Sequence, residues 1–320
     1  MQSESIEFQV SESAEGQRLD TWLGSLLTDR FSRSQIARWI EAEQLRLVQQ
    51  NGIALERIKK RPAHRVQPGE RYRLTIPPPA GQKLEPIDLQ LPVVYADDYL
   101  AVIHKPAGLA THPGPGDDQP SLAHGILHIW KELESSGPDA RRPGIVHRLD
   151  KATEGLILIG LQDKVRRDLM RQFANREVQK EYRAWLVGKL PAKSGDIELG
   201  IRRHPVQRLK MQVHPAGRLS ISRFERLEQI RSNRDRFYEH VRVQILTGRT
   251  HQIRLHMSHL SCPVVGDPLY SRSSERYQKY GMLLFARQLA FRHPVTAQWL
   301  SFELPEPERF VQFARKARFL

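Results

Sequence analysis

Apolar residues recur first with a helical period and then, for most of the chain, in the short runs typical of strands. Leu19, Trp22, Leu23, Leu26 and Leu27 share one face of a helix expected over residues 17–31. Ser32 and Gln35 stand at capping-box spacing and open a second helix with Ile36, Trp39 and Ile40 inward. A strand-like run, Leu45 to Val48, meets Asn51-Gly52, a strong turn signal, and Tyr72 to Ile76 alternates like another strand. Pro77-Pro78-Pro79-Ala80-Gly81 then interrupts the pattern. Tandem prolines favour a stiff, extended connection, so a linker is expected at 77–91.

Beyond it, Val93 to Tyr95 and Tyr99 to Ile103 read as neighbouring strands, followed by a loop rich in glycine and proline up to Pro120. A helix is expected from Ser121 to about Ser135, and another over Asp163 to Ala174 with Val165, Leu169 and Phe173 inward. Between them Leu156 to Ile159 has the length and branching of a buried strand. Strands then dominate, at Glu181–Val187, Leu209–Val213, Ser220–Glu225, Phe237–Leu246, Leu283–Phe291 and Trp299–Leu304. Many strands, few helices and no regular alternation predict an α+β fold. Its larger domain, 92–320, carries a mixed, largely antiparallel sheet; a small α+β domain occupies 1–76.

Composition narrows the partners. The 320 residues carry a net charge of +14, a field that draws polyanions, of which nucleic acid is the commonest soluble example. Arg33, Arg38, Lys59, Lys60 and Arg61 crowd the small domain, while Arg203, Lys210 and Arg249 mark loops of the larger one. Contacts of this kind to phosphates give affinity and orientation without reading sequence. No apolar run approaches the roughly 20 residues of a membrane helix, and the N-terminus lacks the features of a signal peptide. One cysteine, Cys262, leaves no disulfide framework. The expectation is a cytoplasmic monomer with a nucleic acid as its partner and no membrane.

Candidate chemistry centres on Gly144 to Ile159. Asp150 lies among His147, Arg148 and Lys151, just before the buried strand. An aspartate among cations is expected to stay ionised, which suits a nucleophile or a charge stabiliser and not a general acid. Taken alone, Asp150 and Thr153 could equally close a surface turn. Lys180-Glu181-Tyr182-Arg183 starts a strand with a tyrosine among charges, and Thr247 to Arg254 turns from a strand into a helix expected to be capped by Thr250. His251, His256 and His259 do not have zinc-hydrolase spacing, so no metal is expected. Phosphate-loop, dinucleotide-binding and nucleophile-elbow motifs do not occur. One aspartate, one tyrosine and several arginines suit chemistry on a nucleic acid with no cofactor.

His147-Arg148-Leu149-Asp150-Lys151-Ala152-Thr153-Glu154-Gly155-Leu156 resembles the signature of the RluA/RluD family of pseudouridine synthases. The resemblance runs from about 85 to 305, through Lys180-Glu181-Tyr182, Arg203-His204-Pro205, Gly248 to His256 and Pro263 to Pro268. The N-terminal residues Gln17 to Asp20 and Ser32 to Ile36 are similar to the S4-like RNA-binding domain of the RluD type. The resemblance implies an enzyme that turns uridine into pseudouridine in structured RNA. Large-subunit ribosomal RNA comes first among substrates, with transfer RNA as the alternative. A non-catalytic assembly factor on the same fold and a uracil-excising glycosylase are the rival functions.

By that resemblance Asp150 is the nucleophile, with attack on ribose C1′ or on the uracil ring left open. Tyr182 stacks on the base and is a candidate for the proton step, and Arg254 pairs with the aspartate. Arg148 enters the RNA stack when the target nucleotide flips out. His147 joins the RNA contacts, and Ile253 and Leu255 line the pocket. Two positions depart from the family pattern. Glu154 replaces a usual serine or threonine and is expected to bring negative charge near the aspartate or toward RNA phosphate. Phe285 stands where histidine is common, which puts substrate contacts in question.

Overall fold

The computed structural model describes residues 4–27, 30–31, 33–50, 52–58, 61–76, 84–113, 119–133, 142–207 and 209–319. Ser32, Asn51, Lys59, Lys60 and the prolines at 77–79 lie outside the described residues, as do 114–118, 134–135 and Arg208. The described residues form two compact units, one up to Lys83 and one from Leu84 onward. No described helix is long and apolar enough to cross a membrane.

The first unit contains β1 (Glu4–Gln9), α1 (Leu19–Leu26), α2 (Arg33–Glu41), β2 (Leu45–Gln50), β3 (Ile53–Ile58) and β4 (Arg71–Ile76). The strands form an antiparallel sheet in the order β1-β4-β2-β3. Its core joins Trp22, Leu23, Ile36 and Ile40 of the helices to Leu45, Leu47, Tyr72 and Leu74 of the sheet. Buried Asp20 accepts hydrogen bonds from Arg18 at 3.0 Å and from Arg33 at 3.1 Å. Burial works against the Asp20 charge, but these two guanidiniums hold its carboxyl below the usual carboxylate range. Arg33 is thus tied into the unit, while Arg38 and Arg61 are exposed.

The second unit runs β5 (Val93–Ala96), β6 (Leu100–Lys105), α3 (Leu122–Ile129), β7 (Glu154–Gly160), α4 (Asp163–Ala174), β8 (Gln179–Val187) and β9 (Ser194–Arg203). It continues with β10 (Met211–Val213), β11 (Arg218–Arg231), β12 (Phe237–Ile245), α5 (Gln252–His259), β13 (Leu284–Arg292), β14 (Trp299–Glu303) and α6 (Glu308–Ala317). Its strands make one sheet in the order β10-β9-β11-β12-β8-β13-β7-β6-β5, with β14 beside β13. The neighbours pair antiparallel except β13 and β7, which run parallel. The expected mixed, largely antiparallel sheet is therefore present.

Alternation along β7 explains why its apolar run is continuous. Ile157 and Ile159 pack with Leu122 and Ile126 of α3, whereas Leu156 and Leu158 pack with Val165 and Leu169 of α4. A strand covered on both faces has no polar side. Residues 84–91, expected to be linker, instead belong to the second unit. Leu91 packs on α3, where a Cβ on Gly125 would sit 2.6 Å from the Leu91 side chain. The pairing of β7 with β13 is confined to Glu154 opposite Phe285 and Gly155 opposite Ala286. It depends on Gly155, at φ +128°, whose missing Cβ would come 2.2 Å from the Ala286 carbonyl oxygen.

Candidate active site

Asp150 lies in the turn before β7, and the loop after β6 grips the backbone on both sides of it. Thr111 Oγ1 donates to the Leu149 carbonyl at 2.7 Å and accepts the Leu149 amide at 3.2 Å. The Gly108 amide donates to the Lys151 carbonyl at 2.8 Å. Lys105, fully buried, donates through Nζ to the carbonyls of Pro106 and Leu109 and, at 3.4 Å, of Lys151. Burial pulls its pKa down to about 8, with Asp150 and Glu154 acting in the other direction. The Thr153 amide closes the turn on the Asp150 carbonyl at 3.0 Å.

The Asp150 side chain is 17% exposed, and its Oδ2 accepts from Arg254 Nη1 at 3.0 Å. Arg254 comes from α5 and is buried. Its other donors, Nε and Nη2, bind both oxygens of Asp267 at 2.7 and 2.8 Å. Burial opposes the guanidinium charge, yet its bonds and the negative charges of Asp267 and Asp150 hold it above its ordinary pKa. Asp267 is fully buried and also accepts the amides of Leu269 and Tyr270. Gly266 delivers it by passing against Gly281, where a Cβ would lie 2.0 Å from the carbonyl oxygen. Tyr270 then stacks its ring against Arg254, with 5.3 Å from the guanidinium carbon to the ring centroid.

Tyr182, on β8, shares a pocket of about 80 Å³ with Asp150, Arg254, Arg148, Arg249 and Ile253. Thr153, Ile245, Gly248, Gln252 and Leu284 complete much of its wall. A cavity far below the roughly 300–1,000 Å³ of a small-molecule site suits one planar ring inserted from outside. Burial, with the charge of Asp150, pushes the Tyr182 phenol above its ordinary pKa, so it keeps its proton at neutral pH. A larger groove of about 690 Å³, around Lys193, Asp196, Arg223 and Arg242, contains none of these groups.

The sequence expectations divide on this geometry. Asp150, Tyr182, Arg254, Arg148, Arg249 and Ile253 come together. Arg148 is exposed at the pocket, its basicity lowered by partial burial and by nearby Arg142 and Arg203, against the pull of Asp150. Arg203 and Lys210 flank the tip of the β9–β10 hairpin. Leu255 is buried but is not part of the pocket wall, because one helical step of about 100° turns it away from Arg254. His147 is engaged within the fold. Its Nε2 accepts the Leu158 amide at 2.8 Å, its ring stacks on Phe173, and burial next to Lys180 lowers its pKa to about 3.

Thr250 does not cap α5. That position falls to His251, whose backbone is left-handed at φ 56°, while the Gln252 side chain accepts from Thr247 and from the Arg249 amide. Both departures from the family pattern are engaged within the fold. Glu154 accepts from Arg309 of α6 at 2.8 Å and contacts His104 at 3.0 Å. Phe285 is fully buried against Phe310 of the same helix. Sequence reasoning missed Lys105, Thr111, Asp267 and Tyr270 as parts of the site. The signal available was weak: an Asp267 near the histidines and a lysine before Pro106.

Residues 99–259 match the RNA pseudouridylate synthase family. An uncharacterized RNA pseudouridine synthase of Aquifex aeolicus is 36% identical over 96% of this chain and 95% of its own length. Ribosomal large subunit pseudouridine synthase D of Escherichia coli K12 is 32% identical over 97% of this chain and 93% of its own. Among solved structures, human RNA pseudouridylate synthase domain containing 1 is 27% identical with a TM-score of 0.53, over 70% of this chain and 86% of that one. With its aspartate, guanidinium and phenol gathered at one small pocket, the chain belongs to the RNA pseudouridine synthase family, isomerases that act on RNA.

Proposed function

We propose that this chain converts particular uridines of large-subunit ribosomal RNA to pseudouridine, with Asp150 as the nucleophile. The observation that carries the reading is the 3.0 Å contact of Asp150 with buried Arg254 at a pocket that also holds Tyr182. In the reaction the ribose C1′–N1 bond breaks and a C1′–C5 bond forms. The hydrogen on C5 leaves as a proton and N1 ends with one, so no atom is gained or lost and no cofactor is required. Arg254 pairs with the carboxylate and aims it. Tyr182, kept protonated, stacks on the uracil ring. Arg148 fills the gap left in the RNA stack by the extruded nucleotide, offsetting part of the unstacking cost.

The ribosomal substrate is suggested by the relative from Escherichia coli, whose name specifies the large subunit. The first unit, in this reading an S4-like module, grips phosphates through Arg38 and Arg61, with Lys59 and Lys60 beside them in sequence. The same reading puts the enzyme in the cytoplasm as a monomer. Ribosomal RNA tritiated at uracil C5, incubated with the purified protein, should release label, and an Asp150→Asn variant should release none. Wild-type protein that binds the RNA but releases no label would instead be a binding or assembly factor. Free uracil and abasic sites would mark a glycosylase.

A further inference from the structure

Two groups flank the Asp150 carboxylate, and both rest on Tyr270. Its ring backs Arg254, as described above, and its hydroxyl lies 2.9 Å from Nδ1 of His251. The same hydroxyl accepts the Met211 amide at 2.8 Å, at the start of β10. A phenol has a single hydrogen. The Met211 carbonyl is 3.4 Å away, so His251 Nδ1 is the better acceptor by distance. An imidazole that accepts at Nδ1 carries its proton on Nε2, and Nε2 is 3.8 Å from Asp150 Oδ2.

His251 reaches this place from a left-handed backbone at φ 56°, a conformation a residue with a Cβ adopts only where its surroundings hold it. Thr111, Gly108 and Lys105 fix the backbone around Asp150, and the imidazole lies beside the carboxylate itself. Charged and titratable groups around the ring are Asp150, Tyr270, Arg254, Asp267 and Arg148. Burial lowers the His251 pKa, with Asp150 opposing, which keeps the ring neutral at pH 7.

We infer that Tyr270 and His251 are positioning residues for this reaction: the phenol fixes the imidazole tautomer, and Nε2–H then keeps Asp150 aimed into the pocket. The Met211 bond ties this brace to the β9–β10 hairpin that carries Arg203 and Lys210. The inference rests on Asp150 being the nucleophile. Protonating His251 at Nδ1 requires the phenol to give up its bond, and the resulting imidazolium would draw on the nucleophile's charge. Activity should therefore fall on the acid side as His251 titrates, and removing the hydroxyl should make that titration easier.

The test compares Tyr270→Phe and His251→Gln with wild type in the tritium-release assay across pH. Tyr270→Phe keeps the ring on Arg254, and urea midpoints check that both variants fold. Each substitution should lower kcat about tenfold with KM for RNA little changed, as loss of aim would. The acid limb should move to higher pH in Tyr270→Phe. The double variant should be no slower than the slower single, because both act through one path. Single losses that multiply in the double, a change confined to KM, or an unshifted acid limb would each overturn the brace while leaving an active wild type intact. If wild type itself releases no label, the nucleophile assignment fails and the brace with it.

Discussion

At the scale of single residues, the site separates groups that must carry charge from groups that must not. Arg254 and Asp267 are buried as a bidentate pair, and Asp150 shares the remaining guanidinium nitrogen. His147 is the opposite case. Its Nε2 accepts the Leu158 amide, so protonation there would break a bond into β7. With its pKa lowered from 6.5 to about 3, the folded chain refuses a proton that the unfolded chain takes up below pH 6.5. That contribution to stability is complete above pH 6.5 and is lost as pH falls toward 3, on the order of 5 kcal/mol. A His147→Gln variant keeps an acceptor for Leu158 and has no proton to gain. Its urea midpoint should drop less than that of wild type between pH 7 and pH 4, and an equal drop would refute the assignment. Asp150, Tyr182 and Arg254 were legible in the sequence because their motif carries them. The brace of His251 and Tyr270 was not, since it depends on which imidazole nitrogen a distant phenol meets.

At the scale of elements, pattern found most helices but set their ends too wide at α1 and α3, missed α6, and misplaced several strand ends. Asp163–Ala174 forms the helix expected, because its apolar spacing and its packing against β7 agree. The strand expected at Leu209–Val213 shrinks to Met211–Val213, and the one expected at Ser220–Glu225 extends to Arg218–Arg231. Exposed strand residues such as Glu228 and Gln229 give no apolar signal; their pairing with β12 sets the limit. The β7–β13 contact was illegible for another reason: Gly155 and Ala286 lie far apart in sequence, and only the close approach of their backbones reveals them. A Gly155→Ala substitution must push these strands apart. It should destabilise the second unit by roughly 3 kcal/mol and reduce kcat beyond what any unfolded fraction explains. Urea melts and label release on the same samples would check this, and a stable, fully active variant would rule out the strand contact as the element that sets the Asp150 turn.

For the whole molecule, each of the two units has hydrophobic packing of its own. Trp22, Ile36 and Tyr72 close the first unit on itself, while Tyr182, Val243 and Ile253 belong to a cluster within the second. The net charge of +14 announced a polyanionic partner but not how the grip is divided. Removing residues 1–83 should leave a folded second unit with weaker RNA affinity and a shallower dependence of log affinity on log salt, because fewer phosphates are neutralised. Filter binding at several salt concentrations measures both quantities. An unaltered slope would remove the first unit from the list of RNA contacts. The cations crowded ahead of Pro77-Pro78-Pro79 suggested this division, and the S4-like resemblance agrees with it.

Arg309 of α6 fastens Glu154, four residues beyond Asp150, and Phe310 beside it covers the strand that β7 needs as a partner. The strand behind Asp150 is thus anchored by a side chain 155 positions further along, so whatever loosens α6 reaches that strand.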